Sequence, residues 1–242
     1  MISIGKVCAV HAAALEDFVE TISREVAPDA LWQSTLAFLA DAGFDKVLRV
    51  RAGVSGVTVR TTLSDGFQTF YWENGYQKDD PFLRHCMTSP VAVATGADYL
   101  DRYDYLNERS RRLILSAAED GFRAGFSVVA PVPEQRRALG WNIGSSLRRA
   151  EVERIRQERE PLIRLALVAV QNRLDGPEAV RASLTPRELE CLSLIASGLR
   201  VKAIAAELGI QPVTVELHLG NARKKLGAAT REHAVALAFG SR

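Results

Sequence analysis

Between Leu184 and Leu226 the chain reads LTPRELECLSLIASGLRVKAIAAELGIQPVTVELHLGNARKKL, and the punctuation of this stretch leaves little choice of fold. Thr185 with Glu188 three residues later has the spacing of a capping box, which satisfies the orphan amides of a helix start. Leu189, Leu192, Ile195 and Ala196 repeat at helical spacing until Ser197-Gly198 stops the helix. Ile204, Ala205 and Leu208 share one face of a second, short helix, which Gly209 can end in the left-handed conformation. Pro212 suits the first turn of a third helix, where its missing N–H costs nothing. Val215, Leu219, Ala222 and Leu226 then form one buried stripe, and the opposite face is free. Three helices so joined predict a helix-turn-helix.

Charge points this segment toward nucleic acid. From Arg181 to the end there are nine Lys/Arg against five Asp/Glu, a balance of +4, and the remaining 22 basic and 24 acidic residues leave −2 on the first 180. The whole-chain value of +2 thus conceals a basic C-terminal domain, the usual footprint of phosphate binding. Arg223, Lys224 and Lys225 close the third helix and would position the DNA backbone. A four-helix interaction module with a solvated basic end is the plainer alternative.

The segment resembles the LuxR-type helix-turn-helix. The family pattern is matched at Leu184, Thr185, Arg187, Glu188, Leu192, Ala196, Gly198, Ile204, Ala205, Leu208, Ile210, Thr214, Val215, His218, Lys225 and Leu226. Ala203 stands where the family has Glu, and Gln211 where it has Ser. The resemblance implies that the start of the third helix, with Val213 and Thr214, meets DNA, and that Glu216, Leu217 and Gly220 face the bases. An acid and a glycine there depart from the family's basic residues and imply an altered affinity or target.

The preceding 180 residues hold enough chain for one sizeable core. The apolar run Val7–Leu15 leads into Glu16-Asp17 and reads as the start of a helix rather than a signal peptide. No run is long enough to span a bilayer. Cys8, Cys86 and Cys191 are odd in number and scattered, which argues against a disulfide framework or a zinc site and for a reducing cytoplasm. No metal or cofactor is expected. Two helices are expected from about Ala13 to Ala42, with Phe18, Ile22 and Val26 on one face of the first. Phe44–Val50 and Gly56–Thr62 alternate as paired strands around a turn at Ala52–Ser55. Helices follow at Phe67–Asn74, Asp80–Cys86 and Asn107–Glu119, then strands at Gly125–Val132 and Ala138–Ser145. The result is an α+β chain: an α/β/α sandwich with an antiparallel sheet, plus a small all-α helix-turn-helix domain. Ser146–Asp175 is largely helical, with Pro161 either kinking it or beginning a new helix. Its apolar second half, Ile163 to Val170, is core or a dimer seam. Gly176-Pro177 marks a linker, so the expected domains are 1–174, a linker at 175–183, and 184–242.

The string LSDGFQTFYWENGYQKDDP, Leu63 to Pro81, carries five aromatics and a paired acid before proline, a composition suited to the wall of an apolar pocket with few polar groups. Aromatics at helical spacing also make ordinary core, and Asp80 before Pro81 is a favourable helix cap.

This string resembles the autoinducer-binding domain of the LuxR family. The resemblance implies that Tyr71, Asp80 and Pro81 keep pocket positions, with Tyr76 a further aromatic match and Trp72 beside them, and that Gly125 matches a family glycine. Asp80 would accept the amide N–H of the ligand and Tyr71 would bond near its acyl carbonyl; Asn142 would replace a pocket Ser/Thr. Leu63 stands where the family has Tyr, Phe67 where a Trp holds the lactone carbonyl, and Ala94-Thr95 where a later Trp lies. Each missing donor costs about 1 to 3 kcal/mol of ligand affinity. The resemblance therefore implies a homodimeric, non-enzymatic transcriptional regulator of double-stranded DNA that answers to an acyl-homoserine lactone or a related signal. An orphan regulator needing no ligand, or an anti-activator acting through heterodimers, is the alternative. His85-Cys86 is the one adjacent pair an enzyme reading could use, and neighbours on a helix point about 100° apart.

Overall fold

The structure, a computed structural model, describes residues 4–25, 27–53, 56–88, 91–132, 137–175 and 183–239. Val26, the turn residues 54–55 and most of the expected linker, 176–182, lie outside them. The chain divides into two compact units, Met1–Val170 and Gln171–Arg242.

The first unit is built on a five-stranded antiparallel sheet. Its strands are β1 (Lys46–Gly53), β2 (Gly56–Thr61), β3 (Ala94–Thr95), β4 (Ala124–Val132) and β5 (Arg137–Ser145), in the order β2-β1-β5-β4-β3. The helices are α1 (Ile4–Arg24), α2 (Pro28–Asp41), α3 (Asp65–Glu73), α4 (Pro81–Thr88), α5 (Glu108–Glu119) and α6 (Arg149–Asp175). Because side chains alternate along a strand, each strand feeds two layers. One sheet face holds Phe44, Phe126 and Trp141. Trp32 of α2 stacks on Trp141 with ring centroids 6.0 Å apart, Phe44 meets Phe126 edge-on at 5.4 Å, and the Arg156 guanidinium of α6 lies 5.2 Å over the Phe126 ring. On the other face Leu48 packs with Leu63, Phe67, Tyr71 and Leu113 of the α3 and α5 layer, and Val50 with Phe82 and Leu83 of α4. This is the expected sandwich.

One detail differs from the sequence expectations, and two open alternatives are narrowed. β3 is a two-residue edge strand, too short to show alternation, paired with Gly125 and Phe126. Pro161 neither ends nor restarts a helix, and α6 runs through it for 27 residues. The apolar half of α6 mostly serves its own chain, since Ile163, Leu167 and Val170 are buried while Leu165 is exposed.

The second unit contains α7 (Pro186–Ala196), α8 (Val201–Leu208), α9 (Pro212–Leu226) and α10 (Arg231–Phe239). The capping box is formed in both directions: the Glu188 N–H donates to Thr185 Oγ1 at 3.2 Å and the Thr185 N–H to Glu188 Oε2 at 2.8 Å. Gly209 takes φ 65° at the end of α8. All four stripe residues of α9 are buried, with Leu192, Ile204 and Cys191 between them. Ala196 is exposed, and Cys191 fills the core position instead.

Glu188 also accepts from Lys225 Nζ at 2.7 Å, and the same ammonium reaches the Ser183 carbonyl at 3.2 Å. Burial alone would raise the Glu188 carboxyl, but the bonds from Lys225 and Thr185 outweigh it and hold its pKa below the usual value. A depressed acid contributes stability above its unfolded pKa and loses it as pH falls through the folded one. Thr185→Ala should therefore cost about 1 kcal/mol of helix-unit stability at neutral pH and start acid unfolding at a higher pH. Circular dichroism across an acid titration checks this, and unchanged curves would remove Thr185 from the account.

Candidate functional site

The first unit encloses a cavity of about 210 Å³ between one sheet face and α3, α4 and α5. Leu48 of β1 supplies the sheet side, and the other walls come from three separated stretches. Leu63, Phe67, Tyr71, Asp80, Pro81, Phe82 and His85 belong to the first, Val93 to Gly96 with Tyr103, Tyr105 and Leu106 to the second, and Leu113, Ile114, Ala117 and Phe122 to the third. Local bonds set these walls. Ser64 caps α3 by accepting the Phe67 N–H at 3.2 Å, and the Ser64 N–H donates to Asp120 Oδ2 at 2.8 Å, which ties the start of α3 to the end of α5. Helical spacing then turns Phe67 and Tyr71 to the same side as Leu63.

Asp80 is the carboxylate in this lining. Its Oδ1 accepts the Phe82 N–H at 2.8 Å and its Oδ2 accepts the Tyr71 hydroxyl at 3.0 Å. It is thus a helix cap and a cavity group at once. Burial raises its pKa above the usual 3.8, against the opposing pull of the Phe82 N–H, the Tyr71 hydroxyl and the Leu83 N–H. Burial, with Asp80 beside it, likewise raises the Tyr71 phenol. The remaining polar atoms are largely engaged: the Tyr103 hydroxyl donates to the Ala94 carbonyl at 2.7 Å and the Thr95 hydroxyl to Asn142 Oδ1 at 2.6 Å. His85 Nε2 lies 2.8 Å from the Val91 carbonyl.

Of the residues singled out from sequence, Leu63, Phe67, Tyr71, Asp80 and Pro81 meet in the lining. Trp72 does not reach the main cavity. It is 43% exposed and borders a small recess on the far side of Phe67, Tyr71 and Asp80, because it sits 100° around α3 from Tyr71. Tyr76 is buried beside the cavity rather than in it, with its ring 5.1 Å from Phe70 and the Arg109 guanidinium 4.5 Å above it. Asn142 stands behind Thr95, which it holds. Sequence reasoning missed His85 as a wall residue, together with Tyr103, Tyr105, Leu106, Phe122 and the α5 face Leu113, Ile114 and Ala117. The amphipathic spacing of α5 was the available signal for the last group.

In the second unit α9 buries one stripe and exposes the other. Val213, Glu216, Leu217 and the terminal Arg223, Lys224 and Lys225 are exposed, while Thr214 and Gly220 are half-buried. Glu216 forms an ion pair with Arg231 at the start of α10.

Residues 27–174 match the autoinducer binding domain family, and residues 182–238 match the bacterial regulatory proteins of the luxR family. The chain belongs to the LuxR family of regulators. A LuxR-type chain of this design is a signal-responsive DNA-binding regulator. Among its relatives is the transcriptional activator protein BjaR1 of Bradyrhizobium diazoefficiens, 29% identical over 179 residues that cover 72% of this chain and 70% of that one. Two solved LuxR-type structures share the fold. Escherichia coli SdiA matches with a TM-score of 0.53 at 20% identity, over 93% of this chain and 96% of that one. The N-acylhomoserine lactone dependent factor CepR2 of Burkholderia cenocepacia matches with a TM-score of 0.56 at 18% identity, over 69% and 98%. Among the described residues of this LuxR-family chain, no helix is long and apolar enough to cross a membrane, and no cluster of His, Cys, Asp or Glu could hold a metal ion.

Proposed function

We propose that a small amphiphilic signal, an acyl-homoserine lactone or a related amide, binds in the cavity with its N–H on Asp80 and its acyl carbonyl near Tyr71. The observation that carries this is the half-buried Asp80 carboxylate set in an otherwise mostly apolar cavity. Its protein partners, the Phe82 and Leu83 N–H groups and the Tyr71 hydroxyl, occupy three of the about four lone-pair sites of an ionised carboxylate and leave acceptor capacity for one more donor. A ligand N–H there makes a charge-assisted bond in a dry site. Leu63 and Phe67 present no donor to the far end of the ligand, so that end is held by apolar contact. Thr95, steadied by Asn142, and Tyr76 and Trp72 behind the lining support the walls.

The chain acts as a cytoplasmic regulator rather than an enzyme. Residues 1–174 form the ligand-binding and dimerising part, 175–183 the linker and 184–242 the DNA-binding part. A two-fold homodimer would present two α9 helices to successive major grooves. Thr214 and Val213 lead each helix in, Glu216, Leu217 and Gly220 lie over the bases, and Arg223, Lys224 and Lys225 hold phosphates. Ligand that binds the native state alone stabilises it by mass action.

Thermal unfolding of the purified chain with a panel of acyl-homoserine lactones tests the ligand, together with mass spectrometry of any co-purifying molecule. At a hundredfold excess over Kd the expected gain is about 2.7 kcal/mol, a shift of several degrees. A chain that carries nothing and ignores the panel is not a lactone receptor, and a ligand-independent orphan or anti-activator takes its place.

A further inference from the structure

The outward stripe of α9 is apolar over its first two turns, where a base-reading helix ordinarily carries hydrogen-bonding groups. Val215, Leu219, Ala222 and Leu226 are buried, so at 100° per residue Val213, Leu217, Gly220 and Lys224 form the opposite stripe. Val213 is 72% and Leu217 60% exposed, and they lie one turn apart. A methyl group added at Gly220 would meet nothing within 4 Å, so the helix presents bare backbone there. Valine and leucine side chains have no hydrogen bond to offer a base edge. The apolar feature of the major groove is the C5 methyl of thymine.

Glu216 flanks this stripe. A carboxylate only accepts, so its base partner must carry an amino group, and cytosine N4 is the matched donor. An unpaired acid beside phosphates would be repelled, but Arg231 pairs with Glu216, offsets its charge and fixes where it points. Arg223 and Lys224 on the same helix give the charge complementarity that commits this face to DNA, while Lys225 is held by Glu188.

We propose that α9 selects its target by thymine methyl groups packed on Val213 and Leu217 and by a cytosine amino group donated to Glu216, with Arg231 positioning that carboxylate. This rests on the reading that α9 enters the major groove.

The test uses the full chain, with the lactone panel present, at fixed salt because affinity varies steeply with it. Duplexes are selected from a random library, and the preferred duplex is remade with deoxyuridine in place of thymidine at each position. Uracil differs only by the lost methyl. One or two positions should each lose about fourfold in affinity, the value of one buried methyl-sized group. The loss at a given position should vanish in Val213→Ala or Leu217→Ala, both exposed and therefore harmless to folding. Glu216→Gln should relax the demand for cytosine at one position. Arg231→Ala should weaken that demand with the uracil effect intact, and Arg231→Lys should restore it. A fully uracil-substituted duplex that binds as tightly as the thymine form overturns the methyl readout. A cytosine preference unchanged in Glu216→Gln overturns the carboxylate's part. If the chain enriches no sequence at all, the DNA reading of α9 falls, and the inference with it.

Discussion

Asp80→Asn is expected to weaken ligand binding roughly ten- to hundredfold, the worth of one hydrogen bond to a charged acceptor, while stabilising the first unit at neutral pH. The two effects share one cause. Asparagine is as good a helix cap as aspartate, so its carbonyl keeps the Phe82 N–H that now bonds Asp80 Oδ1, and its NH₂ donates to the Tyr71 oxygen. Facing the ligand, however, that NH₂ meets another N–H, and an attraction becomes a donor–donor clash. Stability moves the other way because burial raises the Asp80 pKa above 3.8. A raised acid contributes stability below its unfolded pKa and loses it as pH climbs through the folded one. The variant, which does not titrate there, should match the parent in acid and exceed it increasingly toward neutrality. Ligand titrations and urea unfolding over that range check both halves. A variant with parental affinity would remove Asp80 from ligand recognition.

Gly125→Ala is expected to cost more than about 3 kcal/mol, beyond ordinary overpacking and a large part of the 5–15 kcal/mol that holds a domain together. Gly125 lies directly opposite Gly144 in the β4–β5 pair. A Cβ on Gly125 would sit 2.0 Å from the Ile143 carbonyl oxygen and 2.7 Å from the Gly144 Cα, and one on Gly144 would sit 2.6 Å from the Phe122 ring. These neighbours are backbone and a packed ring, and they cannot swing aside. The strands would have to part beneath the cavity, disturbing Phe122 in its wall. Gly66→Ala is the control. Its Cβ would meet nothing nearer than 3.7 Å, and in the first turn of α3 alanine should add about 0.5–1 kcal/mol. Soluble yield and unfolding midpoints separate the two. An unchanged midpoint in Gly125→Ala would show that the strand pair can open at little cost.

The sequence could be read furthest where structure is decided within a few residues. Thr185 with Glu188, Gly209 and Pro212 act over one helical turn, so the limits of α7, α8 and α9 were legible before any packing was known. Alternation in β1, β2, β4 and β5 gave the long strands for the same reason, and Asp80 before Pro81 gave the start of α4. β3 carried no such signal, because it is held by Ser127 and its neighbours in β4 rather than by its own pattern. Pro161 left two outcomes open, a kink or a new helix, and only packing chose between them. α6 continues through it with Ile163, Leu167 and Val170 buried on one side, and that packing outweighs one lost amide.

The candidate cavity belongs to the other category. Its aromatic string was visible, but the string alone could not say that Phe67 and Tyr71 face inward, that Trp72 turns toward solvent, or that Tyr76 packs beneath Arg109. Those orientations follow from which side of α3 meets the sheet. Residues 93–106 and 113–122 join the wall only after β3, β4 and the Ser64–Asp120 bond bring them there. The sequence by itself determined the main helices, the four long strands and the basic helix-turn-helix, since these depend on backbone periods and on caps within one turn. Only the tertiary structure decided that Tyr71 and Asp80, nine residues apart, share a hydrogen bond inside one enclosure, because burial and long-range contact, not local spacing, select the face that closes.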